Sequence, residues 1–259
     1  MQAGAMHVLI ATPCFGAMVH QTYMLSILRL MASPLCGQVR FTLDMLGHDS
    51  LITRSRNTLV ARFLAQAEAT HLLFVDADIG FEPEQLARML AFDEPVVAGM
   101  YPLKVLHWAG AGARLRHGEP APAAPLLYVG EPCQGVEAER RGEFITARHA
   151  GTGFMLLRRD ALEAMVRGYP ETRYGGIDAY SPGSGEAGPH YALFDCMVAP
   201  ETGQYISEDW TFCRRWRALG GKVWLDTLGS LTHVGAHEYV GQPALRFGAP
   251  DVATLSPAA

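Results

Sequence analysis

The chain has 259 residues, of which 49% are apolar and 18% charged, with a formal net charge of −5. This length suits one large α/β domain, and this composition buries a core, which excludes a disordered chain. No surplus of Lys and Arg points to nucleic acid, so nucleic acid is not an expected partner.

His7-Val8-Leu9-Ile10-Ala11-Thr12 is a short apolar run closed by Pro13, which predicts a buried first strand. Residues 18–33 carry Met18, Tyr23, Met24, Ile27, Leu28 and Met31 at helical spacing, and Pro34 ends them. Val39 to Leu43 alternates as a second strand. Residues 54–68 return to helical spacing through Leu59, Val60, Phe63 and Leu64. His71-Leu72-Leu73-Phe74-Val75-Asp76 is an apolar run that ends in acid. Glu82-Pro83-Glu84 opens another helix, with Pro at a tolerated early position. Pro95 to Met100 predicts a fourth strand. Such alternation predicts a parallel sheet covered by helices on both faces. In that architecture ligands bind at the carboxyl ends of strands. Thr12-Pro13 and Asp76-Ala77-Asp78 both lie at such ends.

From about 103 to 147 the sequence is rich in Ala, Gly, Pro and Arg and has no clear period, which predicts a long loop that is functional or disordered. Gly151 to Arg158 reads as a strand, followed by a helix from Asp160. A second irregular stretch, 169–205, holds Tyr169, Tyr174, Tyr180, His190, Tyr191, Phe194 and Tyr205. Ser207 is placed to cap a helix running to Gly220-Gly221, and Lys222 to Asp226 is a late strand. The chain is therefore read as one domain over 1–248, with halves 7–102 and 103–248, and a loose tail over 249–259.

Five cysteines stand at 14, 36, 133, 196 and 213, an odd number with no Cys-x-x-Cys spacing. A reducing, cytoplasmic setting is expected. No basic region precedes the first apolar run, so a signal peptide is not expected. No run of about 18 apolar residues exists to span a membrane, although peripheral membrane contact stays open.

The chemistry-bearing residues group in three places. In a strand, i and i+2 point the same way, so Asp76 and Asp78 would present two carboxylates to one spot. Adjacent carboxylates repel, and a hard divalent cation such as Mg²⁺ or Mn²⁺, which also holds substrate phosphates, relieves that. The plainer alternative is a loop cap and a solvated acid. Ser207-Glu208-Asp209 serves equally as a helix start or as a fixed carboxylate at a cleft rim. His233, after the late strand, is a structural imidazole or a ligand for Mn²⁺. Arg54, Arg56 and Asn57 open the second helix, where arginine opposes the dipole and needs a reason: phosphate binding or simple exposure.

The order of these motifs, Thr12-Pro13, Arg54-Ser55-Arg56-Asn57, Leu73-Phe74-Val75-Asp76-Ala77-Asp78, Gly151-Thr152-Gly153, Ser207-Glu208-Asp209 and His233, resembles the GT-A glycosyltransferases. The similarity is to family-2-like and Anp1/Mnn9-like enzymes and runs from about 7 to 240. It implies a GT-A Rossmann-like single domain with a mostly parallel central sheet, flanking helices and long acceptor-side loops. By the same resemblance 7–102 would be the nucleotide-sugar-binding half and 103–248 the acceptor half. Thr12, Pro13, Arg56, Asp76, Ala77, Asp78 and Gly153 would bind the donor. Asp78 would bind the metal, with Asp76 and His233 as further metal-site residues. Asp209, with Glu208 as alternate, would deprotonate the acceptor. The chain lacks the Pro-x-Tyr-Asn ending of the first strand and the Gln-x-x-Arg-Trp motif common in family 2.

The expected activity is thus hexosyl transfer from a UDP- or GDP-sugar to a saccharide, lipid-linked or protein acceptor, with Mn²⁺ or Mg²⁺. The rival readings are a sugar-nucleotide nucleotidyltransferase, and a catalytically inactive nucleotide-sugar or carbohydrate-binding protein. The first rival normally has a Gly-rich phosphate loop with a basic residue, whereas Pro13-Cys14-Phe15-Gly16-Ala17-Met18 has one Gly and no Lys or Arg.

Overall fold

The computed structural model describes residues 6–175 and 189–249. Its strands are β1 (Met6–Cys14), β2 (Val39–Gly47), β3 (His71–Val75), β4 (Ile79–Gly80), β5 (Val96–Gly99), β6 (Pro102–Leu106), β7 (Leu126–Tyr128), β8 (Glu131–Pro132), β9 (Arg140–Arg141), β10 (Phe144–His149), β11 (Phe154–Arg158), β12 (Arg173–Tyr174), β13 (His190–Tyr191), β14 (Met197–Val198), β15 (Tyr205–Ile206), β16 (Val223–Asp226), β17 (Thr232–Val234) and β18 (Glu238–Val240). The helices are α1 (Gln21–Ala32), α2 (Ile52–Ala65), α3 (Pro83–Phe92), α4 (Ala111–Arg116), α5 (Arg159–Gly168), α6 (Glu208–Ala218) and α7 (Ala244–Phe247).

One nine-stranded sheet, in the order β2-β1-β3-β11-β5-β16-β10-β8 with β9 beside β10, forms the centre. β1 is parallel to β2 and β3, and β5 is parallel to β16. β11 runs antiparallel between β3 and β5. Two reversals cancel, so β2, β1, β3, β5 and β16 all run one way and their carboxyl ends share one rim.

Alternation along these strands divides the core in two. Leu9, Ala11, Leu72, Phe74, Met155 and Leu157 face Leu59 and Phe63 of α2, Leu162 of α5 and Phe212 of α6. Val8, Ile10, Leu73, Val75, Phe154 and Leu156 face Tyr23 and Ile27 of α1 and Leu86 and Met89 of α3. Strands buried on both sides carry unbroken apolar runs, which is why they show in the sequence. α3 starts with Pro83 in its first turn and a reciprocal capping box between Glu82 and Gln85.

The stretch 103–147, which has no clear period in the sequence, carries α4 and most of β6 to β10. β10 belongs to the central sheet, antiparallel to β16. Its buried positions include Thr146 and Ala147, which give little hydrophobic signal, and Arg148 follows them. No helix of the described residues is long and apolar enough to cross a membrane.

Phe74 lies in the middle of the sheet, fully buried and edge-on to Phe194 at 5.3 Å. Phe74→Ala is expected to cost about 3–5 kcal/mol. Urea unfolding measures it, and a loss below about 1 kcal/mol would mean that Phe74 is not at the packed centre.

Candidate active site

A cleft of about 620 Å³ opens at the carboxyl rim of β1 and β3. Pro13, Asp76, Ala77 and Asp78 line it. Thr12 does not: its side chain is fully buried and shares a 2.7 Å hydrogen bond with the Tyr23 hydroxyl. That hydroxyl packs between β1 and α1, so of the expected Thr12-Pro13 pair it is Pro13 that faces the cleft. Phe15, Met18, Asp49, Ser50 and Ser55 also line the cleft, and the sequence reading singled out none of them as site residues.

β3 ends at Val75, and Asp76 to Asp78 form a turn closed by the Ile79 N–H on the Asp76 carbonyl at 3.0 Å. Each carbonyl of the motif has a different partner: Ile79, the His20 N–H that precedes α1 (2.8 Å), and the Val234 N–H of β17 (2.9 Å). The same-face argument for the two carboxylates fails here because extended geometry stops one residue before Asp76. The two acids diverge.

Asp76 turns to Arg56, whose Nη2 donates to Oδ1 at 3.1 Å. The Nε of Arg56 donates to Glu208 at 3.3 Å. Arg56 is only 4% exposed and lies over the Phe74 ring. Burial alone would lower its pKa, and the Asp76 and Glu208 carboxylates reverse that. The guanidinium is thus a tie between two acids and not a cleft-lining group; its neighbour Ser55 lines the cleft instead. Arg54 is held by Asp49 through Nη2 at 2.7 Å and Nε at 2.9 Å. Asn57 makes a two-way bond to the backbone of Phe194, at 2.7 and 2.9 Å. Ion pairing, not exposure, accounts for arginines at this helix start.

Asp78 turns the other way. Its Oδ2 pairs with the Lys104 ammonium, and its Oδ1 lies 3.5 Å from His233 Nε2. His233 Nδ1 donates to the Pro102 carbonyl at 2.7 Å. That bond commits a proton to Nδ1, so a neutral His233 aims the lone pair of Nε2 at a carboxylate oxygen. Two acceptors in that relation call for a cation between them or a second proton on the ring. Burial alone would raise the Asp78 pKa, but His233 and Lys104 outweigh it and bring it to about 2. Carboxylate oxygen and imidazole nitrogen suit Mn²⁺, and small hard cations usually complete their shell with water and substrate phosphate. The pair therefore fits such an ion. Asp76 is turned to Arg56, and among the described residues no group of three or more His, Cys, Asp or Glu converges on a metal position.

Tyr101 joins these groups to Gly153. The Gly153 N–H donates to the Tyr101 hydroxyl at 3.2 Å, and the ring meets His233 edge-on at 5.3 Å. A Cβ at Gly153 would lie 2.7 Å from Tyr101 Cζ, and one at Gly151 would lie 2.2 Å from its hydroxyl. These glycines are small because Tyr101 passes over them, a packing reason that needs no sugar. Burial, then Asp76 and Asp209, push the Tyr101 phenol pKa up.

Asp209 starts α6. Its Oδ1 accepts from the Ser207 hydroxyl and from the Trp210 N–H at 2.8 Å. Ser207 occupies the N-cap position but spends its hydroxyl on Asp209, not on the helix. Burial raises the Asp209 pKa, and neighbouring Glu208 adds to it. Trp210 stacks on His149 at 4.3 Å and stays partly exposed.

Of the aromatic residues in 169–205, Phe194 is core, stacked on Phe212 at 4.4 Å, and Tyr169 donates to the Arg215 carbonyl at 2.9 Å. Tyr205 is exposed, and Tyr180 lies outside the described residues.

No protein-family model matches the sequence, and no curated protein matches it. Among solved structures, A197 from STIV is similar over 98% of this chain and 100% of that one, with TM-score 0.50 and 14% identity. A UDP-glucose pyrophosphorylase complexed with UDP-glucose matches at TM-score 0.42 and 8% identity, over 88% of this chain and 92% of the other. A glycosyltransferase involved in glycosylation of the major capsid of PBCV-1 matches at 0.30 and 11%, over 63% and 65%. At such identities the likeness to A197 is one of fold alone: a mixed α/β domain around a large, mostly parallel sheet.

A raised carboxylate pKa in the fold means that ionised Asp209 opposes folding. Its contribution is favourable below the ordinary carboxylate range and is lost as pH rises through its raised value. Asp209→Asn, which can still accept both hydrogen bonds, is expected to melt higher than the parent at pH 7. The gap should close as the pH falls and the parent's Asp209 takes its proton. A thermal-melt series that shows the opposite order at pH 7 would contradict the assignment.

Proposed function

We propose that the chain is a glycosyltransferase that moves a hexosyl group from a nucleoside-diphosphate sugar to an acceptor hydroxyl. What supports this reading is that Asp78, which lines the cleft, faces His233, and that Asp209 starts α6 beside Glu208, which Arg56 ties to Asp76. Asp78 with His233 would be the couple that takes a cation, and Asp209 would be the proton acceptor.

Asp78 and His233 would hold Mn²⁺ or Mg²⁺, whose positive charge offsets the negative charge that develops on a departing diphosphate. Pro13, Ala77 and Ser55 line the cleft in which the nucleotide would lie. Asp76 keeps its place there because Arg56 grips it. Asp209 would take the acceptor hydroxyl's proton as the new C–O bond forms and the bond to the diphosphate breaks. A carboxylate with raised proton affinity is the better base near neutral pH. Glu208, engaged by Arg56, is the weaker choice. Trp210 offers an aromatic surface next to Asp209, suited to a sugar face. The acceptor is a saccharide, lipid-linked or protein hydroxyl.

The test begins with UDP- and GDP-sugars scored by the rise in melting temperature with and without Mn²⁺. Asp78→Ala and His233→Ala are each expected to abolish the Mn²⁺-dependent part of donor binding, measured by calorimetry; undiminished affinity in both would remove the couple as a metal site. Asp209→Asn is expected to bind donor as the parent does and to lose transfer by about 100-fold or more. Turnover close to that of the parent would exclude Asp209 as base. The product should be nucleoside diphosphate. Nucleoside triphosphate formed from donor and pyrophosphate would instead identify a nucleotidyltransferase.

A further inference from the structure

β6 begins two residues before Lys104, and it serves the Asp78–His233 couple twice. Its Pro102 carbonyl holds His233 Nδ1 at 2.7 Å, and its Lys104 ammonium pairs with Asp78 Oδ2. The lysine stem is guided. A Cβ at Gly235 would lie 3.0 Å from Lys104 Cδ and 3.3 Å from Cγ, so the chain beyond β17 is bare where the stem passes. The Gly235 N–H is held by the His237 carbonyl at 2.9 Å, which keeps that opening in place.

The charges around the cleft make this lysine conspicuous. Asp49, Asp76 and Asp78 line it. Arg54 is engaged by Asp49, and Arg56 by Asp76 and Glu208. A diphosphate entering such a place meets carboxylates, and the two nearby guanidinium groups are engaged behind the lining. Lys104 is different: its side chain is 37% exposed, and among the described residues its ion-pair partner is Asp78 alone. An ammonium on a flexible stem leaves a partly exposed carboxylate at little cost and acts as a point charge toward phosphate. It also competes with any divalent cation that seeks the same carboxylate.

We propose that Lys104 is a donor-binding residue. Its ammonium neutralises Asp78 while the cleft is empty, and it passes to the diphosphate oxygens of the nucleotide when a divalent cation takes its place on Asp78. This rests on the glycosyltransferase reading above, and it adds the group that exchanges partners as donor binds.

Calorimetry on the full chain tests it, with Lys104→Met beside the parent. Mn²⁺ is titrated alone, and UDP and GDP are then titrated at saturating Mn²⁺. Lys104→Met is expected to bind Mn²⁺ about two- to fivefold more tightly, since an ion-pair competitor is gone. It should bind the preferred nucleoside diphosphate about tenfold or more weakly, since a charge-assisted hydrogen bond is lost. Lys104→Arg, which keeps the charge, should retain most of the nucleotide affinity. The proposal is overturned if Lys104→Met, with an unchanged melting temperature, binds Mn²⁺ no more tightly or the nucleotide as well as the parent does. If the parent itself binds neither UDP nor GDP with Mn²⁺, the glycosyltransferase reading fails and takes this one with it. A parent that binds, with a variant that binds equally, overturns the role of Lys104 alone.

Discussion

Arg56 is a guanidinium almost entirely removed from water, and such a charge must be compensated where it stands. Asp76 and Glu208 compensate it, one from the end of β3 and the other from the start of α6. Removing one partner of a buried pair typically costs about 3–5 kcal/mol, because the remaining charge is left without compensation. Through this one cation the turn at Asp76 is tied to the start of α6, where Asp209 stands beside Glu208. Phe74 below it supplies a face on which the guanidinium rests.

Given that tie, the two acids of the Asp76-Ala77-Asp78 turn have separate work. One belongs to the arginine and to the α2–α6 side; the other belongs to His233, Lys104 and the strands that lie across the rim. The backbone makes the separation firm, since the three carbonyls of the turn are claimed by three different parts of the chain. Tyr101 then fills the space between them, touching Gly153 on one side and His233 on the other. The arrangement is a set of paired charges around an open cleft, from the buried ties of Arg56 to the partly exposed pair of Lys104 and Asp78.

β1, β3 and β5 were legible because burial on both faces leaves unbroken apolar runs, and β2, which is only half buried, because its residues alternate. The rim was legible too, as the place where Pro13 and Asp76 follow such runs. β10 was not, because Thr146 and Ala147 occupy core positions without hydrophobic weight. The direction of β11 was also out of reach, since it depends on how the segment between Leu106 and Phe154 returns to the sheet. At the site, Asp78 and His233 were identified and do meet. Arg56 was identified for its unusual place at a helix start, but its partners lie 20 and 152 residues away along the chain. Lys104 and Tyr101 carried no local signal: one is a lone lysine in an aperiodic stretch, the other the second residue after a strand.

β11 has a consequence for how the chain reaches this state. It lies between β3 and β5, so the first hundred residues contain both neighbours of a strand that has not yet been made. Until residues 154–158 arrive, β3 and β5 each present an open, strongly apolar edge, the kind that pairs with whatever strand is at hand. The first hundred residues therefore do not complete the sheet by themselves. Long-range closure of this kind slows folding and lengthens the time during which wrong pairing competes. The middle of the sheet is completed only by the return of the chain after β10.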